Sequence, residues 1–104
     1  MTRAKTNDSI CDALDTLLQL DAVAELAHHG RGAHHASEAA AMLEQEAVRS
    51  DRASEGFAER KRYDLAAGER DRAARLREIA AAVRTLDAHR EELRRRAEQP
   101  PPPT

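Results

Sequence analysis

The 104-residue chain has no Trp, one Tyr, one Phe, one Cys, four Gly and four Pro. With so few aromatics, and only three Val and two Ile, strand formers are sparse. No run alternates with period two, so a β-sheet is not expected. The single thiol, Cys11, cannot close an intramolecular disulfide. It fits a reducing compartment, and its ordinary role would be a small side chain on a helix face. No apolar run reaches the length that spans a bilayer, and residues 1–9 lack the basic-then-apolar layout of a secretion signal. A cytoplasmic location without membrane contact is therefore expected. Also missing are a glycine-rich phosphate loop, paired cysteines and a Ser or Cys nucleophile set beside a His base. The chain is expected not to be an enzyme and to have no resident cofactor.

Large apolar side chains are scarce too: Leu, Ile, Val and Phe number 16, against 22 Ala. A net charge of −2 is nevertheless too small to hold the chain open as a solvated coil. The abundant residues, Ala, Glu, Arg and Leu, are strong helix formers. The expected fold is all-α: a helical hairpin or three-helix protomer with a long, coiled-coil-like C-terminal helix. Sixteen bulky side chains are few to cover such helices, so burial against a homodimer mate, a higher oligomer or another protein's helix is expected.

Ser9 followed by Asp12 resembles a capping box, which starts the first helix at residue 9 and leaves residues 1–8 as a flexible N-terminus. Ile10, Leu14, Leu17, Leu18 and Ala24 keep helical spacing, while Leu20, Val23 and Leu26 widen the apolar arc beyond one stripe. A helix of that kind is expected to be contacted on two sides. Gly30 and Gly32 mark a turn over residues 29–36. Beyond it, Leu76, Ile79, Val83, Leu86 and Leu93 step by 3, 4, 3 and 7, the a/d spacing of packed helices. Ala66, Ala73 and Ala80 recur beside that seam, as do Ala67, Ala74, Ala81 and Ala88, and small residues at this spacing let another backbone approach closely.

Gly56 and Gly68 are each unfavourable inside a helix. They suggest either a break near 54–57, giving helices over about 9–29, 34–54 and 57–97, a break at 68, or one uninterrupted second helix. The single helical domain runs over 9–97, and the prolines at 100–103 make 98–104 an extended tail. Residues 1–48 carry 3 Lys and Arg against 8 Asp and Glu, whereas 49–104 carry 14 against 11. The acidic helix is expected to pack antiparallel on the basic one, within or between chains.

Three constellations suggest roles. The first is the Ala/Leu heptad face of Leu76, Ile79, Val83, Leu86, Leu93, Ala66, Ala73 and Ala80, expected as the interface of an adaptor, chaperone-like or regulatory interaction module. The second is His28, His29, His34 and His35 around the glycine turn, where imidazoles from two helix ends could share a transition metal. Glu25-Leu26-Ala27-His28 also has the Glu-x-x-His spacing of di-iron bundles. In those four residues the chain resembles the small ferritin-like proteins built from helical hairpins. The resemblance implies a bridging carboxylate from Glu38, Glu44 or Glu46. The third is Arg60, Lys61 and Arg62 beside Tyr63, a basic cluster with a ring that could stack on a base. Interleaved carboxylates and an isoelectric point near 6.2 count against nucleic acid as a partner.

Overall fold

The computed structural model describes the backbone of residues 2–99 and the side chains from Asn7 onward. The proline tail lies outside the described residues, apart from Glu98 and Gln99. Within them the chain is all-helical: α1 Thr2–Gln19, α2 Ala22–His29, α3 Ala36–Glu59, α4 Tyr63–Ala88 and α5 Arg90–Glu98. The molecule is elongated, 65 × 29 × 21 Å, with a radius of gyration of 17.2 Å. A compact chain of this length would have about 13 Å.

The axis of the structure is the antiparallel hairpin of α3 and α4, with α1 laid along α4 and α2 against α3. Small residues set its spacing. Ala40, Ala47 and Ser54 on α3 and Ala66, Ala73 and Ala80 on α4 each recur every seven residues, and all six are buried. The buried Ser54 hydroxyl donates to the Ala66 carbonyl at 2.8 Å, and the antiparallel register it fixes brings 47 level with 73 and 40 level with 80. Leu43, Leu76 and Ile79 are the largest wholly buried side chains. Among the described residues, eight of the thirteen buried apolar ones are alanine, so close approach of backbones substitutes for bulk.

The helix boundaries correct the sequence reading in four places. Helix α1 starts at Thr2, not at Ser9. The expected single helix over 9–29 is interrupted after Leu20 by Asp21, which adopts the left-handed conformation at φ 51°, one that Asp tolerates better than most residues. The hairpin reverses at Arg60–Arg62, not at Gly56 or Gly68, both of which sit inside helices. There the Arg62 N–H donates to the Phe57 carbonyl at 2.8 Å and the Lys61 N–H to the Ala58 carbonyl at 3.0 Å, with Lys61 at φ 59°. This is the Schellman arrangement that glycine usually supplies, here made with lysine. Finally, the last helix is interrupted at His89, and no residue of α5 is buried.

The turn near 29–36 lies where the glycines place it. Gly32 takes a positive φ of 89°. A Cβ on Gly30 would stand 2.8 Å from the Leu26 carbonyl oxygen, so only glycine lets the chain leave α2 this tightly. The antiparallel packing of the acidic first helix is also observed within the chain. Asn7 meets Arg96, and Ser9, Asp12, Ala13 and Thr16 form a shallow groove with Glu78, Ala81, Ala82 and Thr85.

Candidate interaction surface

The heptad face expected as an intermolecular interface is largely inside the chain. Ala66, Ala73, Ala80, Leu76, Ile79 and Val83 are all buried, and all but Ala66 belong to one cluster with Ala40, Leu43 and Ala47 of α3. Leu86 and Leu93 are half-buried. The physical reason is that α3 repeats small residues at the same spacing as α4, so the chain supplies its own partner for the seam. The second ladder, Ala67, Ala74, Ala81 and Ala88, is exposed.

Exposed bulk lies elsewhere. On α1, Ile10, Ala13 and Leu17 turn toward the body, while Leu14 is 47% and Leu18 79% exposed. These two are one turn apart on the same side of the helix, and the exposed Cys11 precedes them by a turn. Val23 on α2 is 78% exposed. The wide apolar arc of the first helix is thus satisfied on one side by α4 and left open on the other. The remaining exposed large residues are dispersed: Val48 on α3, and Tyr63 and Leu65 beside the hairpin turn.

The rim of the α1 face is acidic. Residues 7–29 contain Asp8, Asp12, Asp15, Asp21 and Glu25 and no Lys or Arg. Glu25 is taken by Arg75 at 2.6 Å. The other four pair with no described basic side chain. On the hairpin, by contrast, Arg72 pairs with Glu46, Arg77 with Asp51 and Arg84 with Glu44.

The histidines do not converge. His28 packs edge-on against His29, with ring centroids 4.6 Å apart, and His34 and His35 are exposed at the start of α3. The His34 N–H donates to Glu38 at 3.2 Å, just ahead of the start of α3. Glu25 meets His29, four residues on, at 3.4 Å. Among the described residues no group of three or more His, Cys, Asp or Glu side chains is assembled for a metal ion.

What does converge, unforeseen from the sequence, is a polar knot joining α2, α3 and α4. The Arg72 guanidinium donates to Ser50 Oγ at 2.7 Å, to Glu46 Oε1 at 3.3 Å and to His29 Nε2 at 2.9 Å. The same Nε2 lies 3.4 Å from Glu25 Oε2, so the ring sits between the Arg72 guanidinium and the Glu25 carboxylate. Partial burial pushes the Glu46 carboxyl up. Hydrogen bonds from Arg72 and Arg49, with the charges of His29 and Arg72, outweigh this and hold it below its ordinary 4.5. No buried side-chain polar atom among the described residues lacks a hydrogen-bond partner. The knot is built as a clamp.

The basic cluster is at the hairpin tip and is partly engaged. Arg60 lies over the Phe57 ring at 5.1 Å and donates to the Gly56 carbonyl, while Arg62 pairs with Asp64 at 3.8 Å. Lys61 and Tyr63 are exposed. No described helix is long and apolar enough to cross a membrane. Compared with known proteins, the chain matches no family model, no curated protein sequence and no solved structure.

Proposed function

We propose that the chain is a helical protein–protein interaction module whose contact surface is the outer face of α1 and α2. The observation that carries this reading is the pair Leu14 and Leu18, large aliphatic side chains left open on successive turns of a helix whose other side, through Ile10 and Ala13, is buried. Exposing them costs solvation without any gain in folding, a cost that a partner's contact recovers. The grooves between α1 and α4 and beside the hairpin turn are open and lined by small, polar or charged residues, which suits a surface-contact role better than a small-molecule site.

The test is photo-crosslinking in the native cell, with benzoylphenylalanine at position 18 or, as control, at exposed position 74 of α4. A discrete adduct from 18 that is absent from 74 supports the reading. No adduct from 18, or the same adducts from both positions, contradicts it.

A further inference from the structure

We infer that the α1–α2 face receives an amphipathic helix of another protein, one whose apolar stripe is flanked by Lys or Arg. The inference rests on the interaction-module reading and adds the chemistry of the partner. Cys11, Leu14 and Leu18 fall at i, i+3 and i+7, the spacing at which one helix presents a ridge to another. Such a ridge is a surface on which another helix packs.

Charge fixes its flanks. Three exposed carboxylates of α1, Asp8, Asp12 and Asp15, run along one flank of this ridge, Asp21 follows just past the end of the helix, and none of the four pairs with a described basic side chain. A helix with basic flanks would match those carboxylates while its apolar stripe covers Leu14 and Leu18. A second copy of this chain placed symmetrically on the same face would set the flank bearing Asp8 and Asp15 against the same flank of the other copy, and like charges oppose that contact. An anionic lipid surface is opposed for the same reason.

The experiment uses the full chain and two synthetic probes of equal apolarity, an amphipathic Leu-Lys peptide and a Leu-Glu peptide, each of about five helical turns. Binding is read by calorimetry at low and high salt. The wild-type chain is expected to bind the Leu-Lys probe saturably and the Leu-Glu probe not at all. Combining Leu14→Ser with Leu18→Ser should weaken binding about tenfold or more, and Asp8→Asn with Asp15→Asn should weaken it and flatten its salt dependence. Circular dichroism confirms that the helices persist, and Leu18→Ser alone serves if the double variant does not fold.

Equal binding of both probes, or Leu-Lys binding that is indifferent to the leucines, overturns the inference. Sedimentation separates its failure from that of the broader reading. If neither probe binds but wild-type self-associates and the leucine variant does not, the occupant is a second copy and the module reading survives. If neither probe binds and wild-type is monomeric, the basic-helix inference fails, and the crosslink at position 18 decides the module reading by itself.

Discussion

The first 29 residues and the hairpin that follows solve the same problem in opposite ways. Helices α3 and α4 keep small residues at seven-residue intervals, bury them against each other and pair Glu44, Glu46 and Asp51 with arginines across the seam. Helices α1 and α2 hold Leu14, Leu18 and Val23 in solvent beside carboxylates without described partners. The hairpin is self-sufficient and the leading segment is not. Scarcity of bulky residues therefore does not require the hairpin to find a partner, because alanine permits close packing. The proposed partner site is inferred from where the bulk has been left.

The largest effect that tests this contrast comes from deleting bulk on each side of it. Leu76→Ala empties a wholly buried position and is expected to cost about 2–5 kcal/mol. Leu18→Ala should stay within about 0.5 kcal/mol in the isolated chain. Denaturant unfolding of both variants checks this, and equal losses would erase the distinction. The two alanine ladders sharpen it further. Ala73→Leu overfills the α3–α4 seam and should cost about 1–3 kcal/mol, whereas Ala74→Leu, on the exposed ladder, should be tolerated within about 0.5 kcal/mol.

The smallest effect is on pH dependence. The Glu46 carboxyl is held below its ordinary value in the folded chain, so the unfolded chain binds its proton more readily. Its stabilising contribution is complete above about pH 4.5 and is lost as pH falls through the lower folded value. Glu46→Gln should flatten the acid limb of a stability-versus-pH curve. An unchanged acid limb would show that the knot with Arg72 is electrostatically idle.

How much of this was legible in the sequence follows from which residues decide each feature. The all-helical class and the Leu76–Ile79–Val83 register follow from spacing, and the turn before α3 follows from Gly30 and Gly32, because glycine alone fits there. The hairpin turn was not legible because Lys61 holds the left-handed position, while Gly56 and Gly68 lie in helices where an added Cβ would meet at most the Arg60 side chain, at 3.9 Å. Packing along the seam outweighed local preference. One signal was present and missed: Ala40, Ala47 and Ser54 repeat at the interval of Ala66, Ala73 and Ala80, which points to an intrachain mate for the seam. The Arg72 knot gave no signal, since its members are separated by up to 43 residues. The open side of α1 was foreshadowed by an apolar arc too wide for one contact.

Amide hydrogen exchange of the full chain, alone and with the Leu-Lys peptide, tests the central claim most directly. Slow exchange along α3 and α4 in both states, with new protection confined to α1 and α2 on adding peptide, is the predicted result. Protection gained along α3–α4 instead, with α1 unchanged, would mean that the seam and not the acidic face is where this molecule meets its partner.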